Sequence, residues 1–397
     1  MELCLLVRSS PKKFRPKNST HKHATKYTEN LLISKTKKTI FQKGPHHMAI
    51  KVYNHQRYSN DNNLPHTYPN DVYINHTFAP FGLGQLTNIG KKFQYDTGVF
   101  LRNRFDKFLG PLYSSGKVFA QSTQPDRAQI SCMLTVAGMW PPKGTELDWN
   151  PNINWNPITV KFEALDQDTM SYEPFFFYIS FTSHSCHFWE CNVEGLFRKG
   201  KRGSSGRKRV FRGGKESGGS LCPREGFGLV LPKWTDDYYP HKLEPLTETS
   251  FILNAYNSEL QKLKGGPLVK KLISDWSAKA ANKLTPPEMK IFVYSGHDST
   301  VSNLLLALGS WDKQVPNYGI MVIFELYEDL KTNEFGVEFF LRNSTTAEPI
   351  QLTIPGCDAH CPLTKLIEIT KKVVPDDWPV DCKSNDPNYV PPAAGGP

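Results

Sequence analysis

An α/β protein is what this 397-residue sequence predicts, built as a three-layer sandwich with a mostly parallel central sheet. Three observations carry that prediction. Strand-like apolar runs alternate with segments of helical spacing through most of the chain. Two of those runs pass at once through a tight turn into a helix, as β–α units do. Hydrophobic residues make up 39% of the chain, enough for a sizeable core in one large or two modest domains.

Taken in order, Asn88 to Leu109 reads as a helix with Ile89, Phe93, Phe100, Leu101 and Phe105 on its core face. The run 118–123 (Val-Phe-Ala-Gln-Ser-Thr) reads as a strand. Pro125-Asp126-Arg127 then opens a helix to about Met139, with Ile130, Met133, Leu134 and Ala137 as its apolar residues, and Pro141-Pro142 stops it. Residues 248–284 read as one or two long helices, with Gly265-Gly266-Pro267 as a turn or break. Ile291-Phe292-Val293-Tyr294 reads as a strand ending at Gly296, and Val301 to Leu308 has helical apolar spacing. Residues 321–326 and 337–341 read as strands at the sheet edge, and 365–374 as a short amphipathic helix.

Two places in this pattern carry chemistry. His297 and Asp298 follow a run that reads as a parallel strand, at its carboxyl end, where open α/β sheets place ligands and where helix N–H groups face an anion. A His beside an Asp there suits phosphate binding and proton donation; Asp298 as a plain helix N-cap explains the same residues. Arg127 also sits past a strand end, in a first helical turn. A cation there opposes the helix dipole, which an anion-binding role accounts for and a purely structural one does not.

Ser122-Thr123-Gln124-Pro125-Asp126-Arg127, Pro141-Pro142-Lys143-Gly144 and Tyr294-Ser295-Gly296-His297-Asp298 together resemble the histidine acid phosphatases, nearest to the animal lysosomal and prostatic enzymes. Gly84-Gln85-Leu86-Thr87-Asn88-Ile89-Gly90, Trp149-Asn150-Pro151, Gly265-Gly266-Pro267 and Pro355-Gly356-Cys357 extend the likeness, which covers 80–170 and 221–385. The resemblance implies hydrolysis of small phosphomonoesters through a phosphohistidine, without metal or organic cofactor. It makes Arg127 a phosphate clamp, His297 a phosphate ligand and Asp298 the general acid. The chemistry fits phosphoryl transfer, which needs positioning and charge neutralisation more than covalent help.

The family's nucleophile motif is Arg-His-Gly-x-Arg-x-Pro, and here the corresponding place reads Asn54-His55-Gln56-Arg57. Aligned on it, His55 is the nucleophile and Arg57 a second clamp. The first Arg has become Asn54, the Gly has become Gln56, and one residue is missing before Arg57. A nucleophile misplaced by about 1 Å can lose on the order of a hundredfold in rate. The alternative is therefore an inactive relative that at most binds phosphate, with His55 an ordinary loop histidine.

The resemblance, with composition, implies five segments: a basic stretch at 1–45 without a packed fold, the first part of the α/β domain at 46–170, an aromatic and basic insert at 171–220, the second part at 221–385, and a Pro/Gly-rich tail at 386–397. The formal net charge of +10 hides the division. Residues 1–43 hold eleven Lys/Arg against two Glu, and 198–215 hold nine with no acid, so the remainder is net acidic. The insert stands where the family has cap helices and resembles none of them. Its Lys, Arg, Gly and Phe could bind a polyanion; a solvated basic loop accounts for them equally, and no nucleic-acid partner is expected. A simpler reading of both basic segments is sequence foreign to the fold, from misjoined exons. No run approaches the ~20 apolar residues of a membrane span, and Leu3-Cys4-Leu5-Leu6-Val7 is too short for a signal-peptide core.

Of eight cysteines, Cys357 and Cys361 match a disulfide of the family. Cys222 and Cys382 match half-cystines whose partners fall near Met321 and in the insert, so two bridges are expected to be lost. His184, Cys186, His187 and Cys191 fit no strong zinc spacing, and no metal is expected. Sequons stand at Asn18, Asn75 and Asn343, the last matching a family glycosylation position. The resemblance implies a lysosomal or secreted protein, although no signal peptide is visible, and it allows a homodimer.

Overall fold

The computed structural model describes residues 46–52, 72–73, 77–82, 84–163, 168 and 229–382, the first of these as backbone alone. Eight strands form one sheet: β1 (His46–Val52), β2 (Val118–Ser122), β3 (Lys161–Phe162), β4 (Ile291–Gly296), β5 (Met321–Asp329), β6 (Glu334–Arg342), β7 (Ile350–Leu352) and β8 (Cys361–Pro362). Their order is β3-β2-β4-β1-β5-β6-β7, with β8 also on β6. The four strands from β3 to β1 are parallel, and β5 to β8 extend the sheet antiparallel. Register brings the parallel strands to one level, with Ser122 opposite Ser295 and Val52 opposite Gly296.

Period-2 alternation along the strands feeds two cores, one on each face, which makes the three layers. On one face Ile291 and Val293 of β4 and Met321 and Ile323 of β5 pack under α1 (Asn88–Leu109) and α2 (Asp126–Met139). On the other, Tyr294 of β4 and Val322 and Phe324 of β5 pack under α5 (Gly266–Ala280), α6 (Asp298–Ala307) and α7 (Leu363–Thr370). The α/β expectation holds, with helices on both faces.

Several expectations of detail change. The 248–284 region is three helices, α3 (Glu244–Asn254), α4 (Ser258–Lys264) and α5. Asn257 caps α4, its side chain accepting the Leu260 N–H at 2.8 Å. At the Gly265–Gly266 break, a Cβ on Gly265 would lie 2.7 Å from the Ala307 Cβ, so α6 passes too close for any side chain. β5 and β6 are interior strands, β5 between β1 and β6 and β6 between β5 and β7, rather than strands at the edge.

The faces of α1 and α2 also differ from their apolar periodicity. Ile89 is 61% exposed, while Gln94, Thr97 and Gly98 are buried beside Leu101 and Phe105. Met133 is exposed, while Ser131, Thr135 and Gly138 are buried. The reason is a close crossing: a Cβ on Gly98 would lie 2.9 Å from the Gly138 Cα and closer still to the Thr135 carbonyl. Small residues therefore occupy the contact. The Cys357–Cys361 disulfide is formed, as expected, and Cys382 is a free thiol. Among the described residues no helix is long and apolar enough to cross a membrane.

Candidate active site

The strand order sets a switch point between β2 and β4, where an open α/β sheet forms its ligand crevice. The two strands are adjacent and parallel, yet α2 after β2 packs on one face and α6 after β4 on the other. Where neighbouring strands send their helices to opposite faces, the carboxyl ends leave an opening that takes a ligand. Both helices turn their N-termini toward that edge. Their free N–H groups and dipoles favour an anion there.

Each wall contributes one of the expected groups. Arg127 is the second residue of α2 and is only 7% exposed. His297 is the N-cap of α6, with extended φ −123° and ψ 170°, and Asp298 is the first helical residue. The reading of Asp298 as the N-cap is thus corrected by one residue: the His297 N–H donates to Thr300 Oγ1 at 3.0 Å, and Asp298 Oδ1 accepts the Ser299 N–H at 2.7 Å. Gly296 precedes them because a Cβ would meet Thr300 Oγ1 at 2.7 Å.

Two bonds tie the walls together. The Thr123 N–H donates to the Ser295 carbonyl at 3.0 Å, continuing the β2–β4 ladder past its formal end. Ser295 Oγ donates to the Ala128 carbonyl at 3.0 Å in a buried setting, joining β4 to the first turn of α2. No sequence signal singles out that bond, because its ends lie 167 residues apart.

Polar groups at the carboxyl ends of β2 and β4 are buried on both faces of the sheet. Among the described residues Ser122 Oγ, Thr123 Oγ1, Gln121 Nε2 and Tyr294 Oη are buried without a hydrogen-bond partner. Gln121 and Tyr294 are register partners, as are Ser122 and Ser295. Burial raises the Tyr294 hydroxyl pKa, with Asp275 and Glu163 adding to the rise, so the phenol stays a proton donor. Burial, then the charge of Asp168, likewise raises the Glu163 carboxyl.

His55 and Arg57 lie outside the described residues, as do Cys222 and the 184–191 cluster. β1 ends at Val52, three residues before His55 in sequence and level with Gly296. Asn343 leaves β6 at the same edge but three strands from β4, roughly 14 Å away at ordinary strand spacing. It is apart from the crevice, and its Oδ1 accepts the Asn317 N–H at 3.3 Å.

Residues 15–174 and 230–342 match the model of the histidine phosphatase superfamily (branch 2), more than half of the chain. The chain belongs to that superfamily. A prostatic acid phosphatase of Homo sapiens is 33% identical to this histidine phosphatase over 343 residues, covering 81% of this chain and 84% of the human protein. A lysosomal acid phosphatase of Homo sapiens is 31% identical over 337 residues, 80% of this chain and 76% of the relative. A venom acid phosphatase of Apis mellifera is 29% identical over 333 residues, 79% and 82% of the two chains. Among solved structures, a Hafnia alvei phytase superposes with a TM-score of 0.55 at 15% identity, over 84% of this chain and 98% of that one, which supports the fold alone. The superfamily match is interrupted between 174 and 230, a stretch that includes the basic run 198–215.

Proposed function

We propose that this histidine phosphatase hydrolyses small phosphomonoesters through a phosphohistidine at His55. The observation that carries the reading is the delivery of Arg127, His297 and Asp298 by two helix N-termini to one crevice between β2 and β4. The acid phosphatase relatives support the same chemistry. Arg127 and Arg57 neutralise the equatorial phosphoryl oxygens, and His297 donates to one of them. A His55 ring nitrogen attacks phosphorus while the bond to the alcohol oxygen breaks, and Asp298 gives that oxygen its proton. Asp298, now a carboxylate, takes a proton from the water that attacks the phosphohistidine. Inorganic phosphate leaves and His55 is restored.

A second reading has one observation of its own. Asn54-His55-Gln56-Arg57 lacks the first Arg, the Gly and one residue of the family's nucleophile motif. On that reading the crevice binds phosphate without turnover. A lysosomal or secreted location, glycosylation at Asn343 and the five-segment division belong to the same proposal and rest on the resemblance.

Turnover of an aryl phosphate at mildly acidic pH separates the two, measured beside His55→Ala and Asp298→Asn. The phosphohistidine reading expects no turnover in His55→Ala. It expects Asp298→Asn to lose far more rate on an alkyl phosphate than on 4-nitrophenyl phosphate, whose leaving group needs no proton. A folded chain without turnover establishes the second reading; equal losses on both substrates remove Asp298 from the acid role.

A further inference from the structure

The crevice depends on holding Arg127 in register with His297 and Asp298, although the two groups come from different strands and opposite faces of the sheet. Arg127 is not on β2 itself; four residues separate it from Ser122. The start of α2 is therefore free to shift relative to β4 unless something fixes it. Cys132 is too far along the helix to do so, its Sγ lying 3.9 Å from the Gln121 carbonyl. Ser295 meets the requirement. Its backbone carbonyl accepts from Thr123 at 3.0 Å, and its hydroxyl donates to Ala128 at 3.0 Å, with Ser295 fully buried. Ala128 is the residue after Arg127, and Ser295 is two residues before His297. One residue thus couples the two walls, by its carbonyl and by its hydroxyl.

The geometry points to Ser295 as the positioning residue that sets Arg127 against His297 and Asp298, so that one anion is held from both walls. The inference rests on the crevice being an oxyanion site, as proposed above. Ser295 touches no substrate; it acts through Arg127. Among the described residues Ser122 Oγ, its register partner on β2, makes no such bond.

The test is a double-mutant cycle on the full chain, reading orthovanadate affinity by isothermal titration, with unfolding midpoints measured in parallel. Ser295→Ala removes one neutral hydrogen bond, and about a two- to tenfold loss of affinity is expected. Arg127→Ala removes a charge-assisted contact, and about ten- to a hundredfold is expected. A residue acting through Arg127 has nothing left to act on in the Arg127→Ala background. There the second substitution is expected to cause less than about a twofold further loss. Ser295→Cys, which keeps size and a weak donor, is expected to recover part of the affinity. Losses that multiply independently, or a Ser295→Ala chain that binds as wild type does, would overturn the positioning role alone. A folded wild-type chain that binds no orthovanadate would overturn the oxyanion-site reading and this role with it.

Discussion

Gly98→Ala places a methyl group in the α1–α2 crossing, and its outcome has opposite signs with and without that crossing. In an open helix the change would stabilise by about 1 kcal/mol, since Ala is the better helix former. Here the new Cβ would stand 2.9 Å from the Gly138 Cα and from the Thr135 carbonyl carbon, against ordinary contact beginning at 3.4 Å. Both neighbours are backbone, so no side chain can swing away. The helices must part by about half an ångström or more, and a gap of that size forfeits roughly a quarter of each contact's attraction. Leu101, Phe105, Val136 and Met139 pack in that layer. Overpacking of this kind costs about 1–3 kcal/mol. A net loss of about 2 kcal/mol is expected from urea unfolding followed by circular dichroism. Gly90→Ala is the control on the same helix, because its Cβ would meet only the flexible Leu86 Cδ2 at 3.1 Å and Thr87 Oγ1 at 3.5 Å. A Gly98→Ala chain as stable as Gly90→Ala would refute the crossing.

Two further outcomes follow from titratable groups. Asp275 on α5 has its carboxyl pKa raised by burial, with the Lys271 ion pair at 2.5 Å opposing the rise. A raised carboxyl favours the protonated folded state, so its stabilisation is complete below the ordinary pKa of about 3.9 and is lost as pH rises through the folded value. Asp275→Asn is therefore expected to gain stability relative to wild type as pH rises from about 4 to 7; a relative loss over that window would contradict the assignment. Burial, with Asp381 adding to it, pushes the Cys382 thiol up to about 12. Native chain treated with iodoacetamide at about pH 8 is expected to leave the Cys382 peptide unmodified until denaturant is added, by peptide mass mapping. Rapid native labelling would show the thiol is not so held.

Much of this was legible in the sequence, for identifiable reasons. The bounds of α1 are readable because Thr87 caps its start, accepting the Gly90 N–H at 3.1 Å, and Gly110 ends it. Arg127, His297 and Asp298 are readable because strand, turn and helix are contiguous around them, and local sequence sets all three. The buried face of α2 is not readable from apolar period, since Ser131, Thr135 and Gly138 are selected by close approach rather than by hydrophobicity. The interior place of β5 depends on strand order, which pairing across 270 residues determines and no local pattern records. The Ser295–Ala128 bond is tertiary in the same sense. What the sequence shows of His55 is only that its motif departs from the family's, in a stretch outside the described residues.

A crystal structure of the chain with orthovanadate tests the central claim most directly. The account predicts the anion in the crevice between β2 and β4, bonded to the Arg127 guanidinium and to His297, with Asp298 beside it. Vanadium bonded to a His55 ring nitrogen would also establish the nucleophile. An anion bound elsewhere with this crevice filled by water, or held without Arg127, would contradict the account.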